Sequence, residues 1–247
     1  MFGWRKRIGY IAPTVMEVVP YEFYRFAPDG VGLVGVTCNI DGFEPQEFEK
    51  GLSQVSQAAS YLGSRGVDFI IHGGGPLVVK RGKGFEETIV REIETASKRP
   101  ATTGVRAAME ALRQVGAKRI AMASPYPKAQ DEAMAGYLTA HGFEMVLVEG
   151  WDIGFKELQN VAPAAIYRFA SGVLARAKKH VEGCDALYLP CPQWQAAQIV
   201  DVLEQDSGTP VIAYTHATFF AAFKALGLRD AIHGHGRLLA SLADAAR

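Results

Sequence analysis

The chain has 247 residues, 49% hydrophobic and 21% charged, an ordinary balance for a globular protein with a full core. Its 26 Lys plus Arg match 26 Asp plus Glu, so no overall field draws it to nucleic acid or to an acidic membrane surface. No apolar run approaches the length that spans a bilayer, and Cys38, Cys184 and Cys191 are too few and too scattered for a disulfide framework or a zinc spacing.

In chain order, short β-branched runs alternate with longer amphipathic segments, the grammar of βα units around parallel sheets. Strands are predicted at 8–12, 32–37, 68–72 and 101–103, with helices at 45–62, 85–97 and 105–115. A second series follows, with strands at 119–123, 144–148, 186–189 and 211–214 and helices at 128–141, 163–180, 193–206 and 217–226. The two series correspond step by step. Arg7-Ile8-Gly9-Tyr10 matches Arg119-Ile120-Ala121-Met122, and Gly73-Gly74-Gly75-Pro76 stands where Pro190-Cys191-Pro192 stands later. The expected fold is therefore α/β: two similar parallel-sheet halves related by internal duplication, residues 1–117 and 118–247. A swap of the C-terminal segment onto the first half is an option.

In open α/β sheets ligands bind beyond the carboxyl ends of the strands, so the site is expected in the cleft between the halves. The loops at 13–20, 72–81, 124–128, 190–194 and 214–218 would line it. Cys191 follows an apolar strand and precedes a predicted helix, whose N-terminus would favour thiolate; the alternative is a buried structural cysteine. Gly74 and Gly75 offer close approach and free amides, but neither G-x-x-x-x-G-K-[ST] nor G-x-G-x-x-G is complete. Pro76 and Pro192 each remove a donor, which leaves the Gly74, Gly75 or Gln193 amides or side-chain hydroxyls for an anion. Tyr126, between two prolines, and Thr14, its counterpart in the first half, are candidate carboxylate donors, the alternative for both being a packed loop side chain. Tyr10, Met16, Tyr21, Trp194 and Tyr214 are candidate pocket aromatics or core. His72 reads as core, His216 as a cleft residue and His233 with His235 as a C-terminal turn; no motif for a metal or organic cofactor is complete.

Ile11-Ala12-Pro13 with Val19-Pro20, Gly73–Gly75 with Arg81-Gly82, Tyr126, Cys191 and Gly234-His235-Gly236-Arg237-Leu238 come in an order that resembles the aspartate/glutamate racemase superfamily, and within it the arylmalonate decarboxylases and maleate cis–trans isomerases. The likeness runs from Arg7 to Leu238. Racemases and isomerases of that superfamily carry one cysteine per half; here Gly74 takes the first place and Cys191 the second, as in the decarboxylases. The resemblance implies a cofactor-independent decarboxylase of a substituted malonate or related small dicarboxylic acid, with Cys191 protonating an enediolate and Tyr126, the Gly75 amide and Thr14 holding the retained carboxylate. Two departures stand out: Gly75-Pro76 replaces hydroxyl residues, and Pro192-Gln193 replaces glycines. Two other readings stay open. One is an isomerase or racemase in which His72 or His216 replaces the absent thiol; the other is a catalytically silent protein that binds a small acid. A cytoplasmic protein is expected, with a small carboxylic acid as its partner and an oligomer compatible with the sequence.

Overall fold

The computed structural model describes residues 2–180 and 183–244; positions 1, 181–182 and 245–247, which include the outer ends of both expected halves, lie outside the described residues. Two four-stranded parallel sheets form the framework. The first contains β1 (Lys6–Ala12), β2 (Val31–Thr37), β3 (Phe69–His72) and β4 (Ala101–Thr103), in the order β2-β1-β3-β4. The second contains β5 (Arg119–Ser124), β6 (Glu144–Gly150), β7 (Ala186–Leu189) and β8 (Val211–Ala213), in the order β6-β5-β7-β8. The same order is thus used twice. Strands β3 and β7 are buried along their whole length, which is why they read as unbroken apolar runs, whereas the edge strands β2 and β6 are partly exposed.

The helices are α1 (Val18–Phe26), α2 (Pro45–Ser53), α3 (Val55–Ser64), α4 (Gly75–Val79), α5 (Phe85–Ser97), α6 (Gly104–Gln114), α7 (Lys128–Ala140), α8 (Pro163–Ala177), α9 (Val200–Ser207), α10 (Tyr214–Ala225) and α11 (Gly236–Ala240). No helix among the described residues is long and apolar enough to cross a membrane. Four differences from the sequence reading matter. The segment expected as a loop at 13–20 runs into α1. The helix expected at 45–62 is two, broken at Gln54, whose amide nitrogen donates to the Cys38 and Lys50 carbonyls at 2.8 and 2.9 Å. The helix expected from Gln193 begins only at Val200, and the loop expected at 214–218 is already the first turn of α10.

The halves meet along α6 and α10, whose starts are equivalent positions in the two series. Thr103 caps α6 by accepting from the Arg106 amide at 3.2 Å. One continuous core crosses the junction, from Ile8, Tyr10 and Ile71 to Met122, Tyr188 and Ile212. Gly104 makes this contact possible. A Cβ there would stand 2.5 Å from Tyr214 Cε2 and closer still to its Cζ and hydroxyl, so a tyrosine at one start requires a glycine at the other.

Each half is also pinned at the same place. The Asp68 carboxylate accepts from the Arg7 amide at 2.7 Å, and the Asp68 amide donates back to the Arg7 carbonyl at 2.7 Å. In the second half Asp185 accepts from the Lys118 and Arg119 amides at 3.0 and 2.8 Å and pairs with the Arg119 guanidinium at 2.7 Å. Both clamps lie at the amino ends of the strands, leaving the carboxyl ends to the site.

Candidate active site

A cavity of about 290 Å³ lies between the carboxyl ends of the two sheets. Its polar floor is built from equivalent strand-end loops: Thr14 after β1, Gly74 after β3, Tyr126 after β5, and Cys191 with Gln193 after β7. Five of the six residues expected at the site therefore come together. Gly75 does not line the cavity; it opens α4, and the direction of its missing Cβ leads to Met134 Cε at 3.2 Å. Gly74 faces Cys191 across the cleft with φ +77°, a conformation that L side chains rarely adopt, and a Cβ there would meet Pro13 Cγ at 3.0 Å.

The Cys191 environment corrects one expectation. No helix begins behind it; instead the amides of Gln193 and Trp194, in a tight turn, are directed at the sulfur, and the Tyr126 hydroxyl approaches it. These donors are outweighed by burial, which pushes the Cys191 thiol up to about 11, so it keeps its proton at neutral pH rather than resting as thiolate. The Gln193 amide, expected to bind a substrate anion, thus serves the sulfur.

Tyr126 is held by its own loop. The Ser124 hydroxyl donates to Asp131 at 2.5 Å while its oxygen accepts from the Tyr126 amide at 3.0 Å. The buried phenol donates to the Pro190 carbonyl at 3.3 Å, and its single proton has the Cys191 sulfur as a competing acceptor. Burial raises this phenol well above the ordinary tyrosine range, so it stays a donor.

The cavity walls come from two loops that the sequence reading did not single out, those following the edge strands β2 and β6. Each is tied to its neighbour in the same way. The Cys38 and Ile40 amides donate to the Ala12 and Pro13 carbonyls at 2.8 and 2.9 Å; Trp151 and Ile153 donate to Ser124 and Pro125, both at 2.8 Å. The first loop brings Ile40, Asp41 and Phe43; the second leads into a 3₁₀ turn, Phe155–Asn160, with Leu158. Phe43 and Phe155 meet edge-on at 4.8 Å, and Asp41 pairs with Lys156 at 2.8 Å at the exposed mouth. With Phe48 and Leu77 they make the lining largely apolar. The duplication carried the signal for these loops, since the ends of β2 and β6 share an edge with those of β1 and β5.

The aromatic residues named from sequence lie elsewhere. Tyr10, Trp194 and Tyr214 are buried core, Tyr21 is exposed, and none of the five, Met16 included, lines the cavity. His72 and His216 do not reach it either. Burial lowers His72 to about 4 and His216 to about 3, so both stay neutral inside the core. Among the described residues no group of three or more His, Cys, Asp or Glu side chains is placed to hold a metal ion.

Glu22 was not singled out by the sequence at all. It is fully buried on α1, accepts from the Ala197 amide at 2.8 Å and from the Thr215 hydroxyl, and burial raises it to about 8. In sequence it lies just beyond the expected loop at 13–20, in a stretch for which no element is predicted.

Comparison with known proteins places this geometry. The chain is 27% identical over 242 residues to arylmalonate decarboxylase of Bordetella bronchiseptica, covering 94% of this chain and 95% of that one. It is 34% identical over 146 residues to a maleate isomerase of Pseudomonas putida, covering 57% and 54%. The fold is shared with the maleate isomerase Iso from Pseudomonas putida S16, at a TM-score of 0.87 and 21% identity over 96% of this chain and 99% of that one. It is shared also with a crystal structure of arylmalonate decarboxylase, at a TM-score of 0.81 and 23% identity over 94% and 98%. The family model described as arylmalonate decarboxylase matches residues 8–239, and the chain belongs to that family.

Proposed function

We propose that the protein is a cofactor-independent decarboxylase of a malonate bearing an apolar substituent, and that Cys191 is its proton donor. The observation that carries this reading is a single thiol, protonated at neutral pH, facing a glycine across an apolar cavity. One carboxylate of the substrate is held by the hydroxyls of Tyr126 and Thr14 and by the Gln193 side chain, all of which line the cavity. The other lies against Phe43, Leu77, Phe155 and Leu158, where water is excluded and loss of neutral carbon dioxide is favoured. The C–C bond electrons pass into the retained carboxylate as an enediolate. Cys191 then gives its proton to the α-carbon, becoming thiolate, and only from its own face, because Gly74 offers none from the other.

A racemase or isomerase of the two-base type needs a second acid–base group opposite Cys191, where Gly74 stands, and neither His72 nor His216 lines the cavity. An isomerase that adds sulfur to an alkene needs thiolate, which burial disfavours here.

The test is proton NMR in D2O with phenylmalonate, alkylmalonates, maleate and aspartate, for the native protein and Cys191→Ala. Conversion of a malonate to a monoacid of one hand with a single deuterium, lost in the variant, is expected. Conversion of maleate to fumarate, or exchange at the aspartate α-carbon, would replace this reading with isomerisation or racemisation.

A further inference from the structure

The two halves differ at one matched pair of positions beside the cavity. In the first half Ala12 ends β1 opposite Thr37 of β2; in the second, Ser124 ends β5 opposite Gly150 of β6. The loops after Ala12 and Ser124 are tied to the neighbouring edge-strand loops by the same backbone hydrogen bonds. Only the second half adds a side-chain clamp. Asp131, in the first turn of α7, reaches back to the Ser124 hydroxyl at 2.5 Å, and both residues are buried. Burial raises Asp131 to about 6, so at neutral pH it is ionised and only accepts. The single hydroxyl proton of Ser124 therefore goes to Asp131, which turns the oxygen's lone pairs toward the Tyr126 amide at 3.0 Å. The same carboxylate explains Gly150. Its φ is not positive, yet a Cβ there would run into the Asp131 carboxylate and stand 2.5 Å from the Tyr126 carbonyl oxygen. Thr37, at the matching place, keeps its side chain.

We propose that Asp131 is a positioning residue: through Ser124 it fixes the backbone of Tyr126, and with it the point from which the phenol holds the substrate's retained carboxylate. This rests on the decarboxylase reading. Tyr126 lines the cavity and Asp131 does not, so Asp131 touches no substrate atom. The phenol reaches from its loop to the Pro190 carbonyl at 3.3 Å, so a shift of the Tyr126 backbone is carried along the ring to the hydroxyl. That hydroxyl matters most when the retained carboxylate gains the second charge of the enediolate, and a misplacement of about 1 Å in such a group can cost up to about 100-fold in rate. The fold itself does not need the clamp, because the first half forms the equivalent loop with the methyl group of Ala12 in the place of the hydroxyl.

Asp131→Ala removes the acceptor, whereas Asp131→Asn keeps an oxygen in its place. With phenylmalonate, Asp131→Ala should lower kcat about tenfold and change KM no more than about twofold, and Asp131→Asn should restore the native kcat. Ser124→Ala, which gives the second half the residue that the first half already carries, should reproduce the Asp131→Ala loss. In a Tyr126→Phe background Asp131→Ala should lower kcat no further. Equal losses in the Ala and Asn variants, or an undiminished further loss without the phenol, would overturn the proposal. Independently of any substrate, the protein labelled with 3-fluorotyrosine contains nine reporter rings, of which the Tyr126 signal is identified by its absence in Tyr126→Phe. Its fluorine resonance should move or split in Asp131→Ala and stay in place in Asp131→Asn. An unmoved Tyr126 resonance in Asp131→Ala, or equal movement of all the rings, would also overturn it. If the native protein does not turn over phenylmalonate, the decarboxylase reading falls, and the fluorine spectra alone decide whether Asp131 sets the position of Tyr126.

Discussion

Gly104→Ala is the most discriminating single change in the framework. Gly104 is the first residue of α6 with an ordinary negative φ, where exchange of glycine for alanine would normally stabilise by up to about 1 kcal/mol. Here the new Cβ would stand 2.5 Å from Tyr214 Cε2 and nearer to the phenol end, against about 3.5–4 Å for carbon atoms at rest. Tyr214 is 1% exposed and cannot swing away, so the change should destabilise by about 3 kcal/mol, the upper end for overpacking. Tyr214→Ala alone leaves a cavity and should cost about 3–5 kcal/mol. With both changes the clash is gone, so the double variant should be no less stable than Tyr214→Ala. Urea unfolding followed by circular dichroism closes the cycle. The reasoning fails if Gly104→Ala is neutral or stabilising, or if the two effects add within about 0.5 kcal/mol.

Two further outcomes follow from the same structure. The hydrogen bond from Arg119, with two amides, holds Asp185 down to about 2, below its unfolded value, so its contribution is present above about pH 4 and lost as pH falls toward 2. Discounted for partial exposure this is about 1–2 kcal/mol; acid unfolding of Asp185→Asn should lack that component, and curves of equal slope would refute it. Phe155→Ala removes one of the two rings that meet over the cavity, so KM for phenylmalonate should rise about tenfold with little change for methylmalonate. Equal changes for the two substrates would show that the ring does not touch the substituent.

The sequence shows its strands because β3 and β7 are buried on both faces and must be apolar throughout, and it shows the facing pair Gly74 and Cys191 because the halves repeat. Helix α1 was hidden by Pro20 and by the β-branched pair Val18-Val19, although proline is tolerated in a first helical turn. Pro192 and Trp194 belong to a turn that delays α9 to Val200, so the amides expected from a helix come from that turn instead. Phe43 and Phe155 were legible in principle, by extending the repeat to the edge strands. Glu22 was not: its burial depends on α1 lying across the 191–199 segment and the start of α10, and a local pattern carries no trace of that.

The aspartate clamps at the amino ends of the strands have a consequence for how such a protein changes over time. Asp68 and Asp185 fix the sheets at the edge farthest from the cavity, while the residues that line it sit on loops that leave the strands at the other end. Stability and chemistry are thereby entrusted to different residues, so drift in the loops can alter what is bound without loosening the sheets. Proteins sharing only about a fifth of this sequence still match its backbone at a TM-score of 0.87, as such a division of labour would allow.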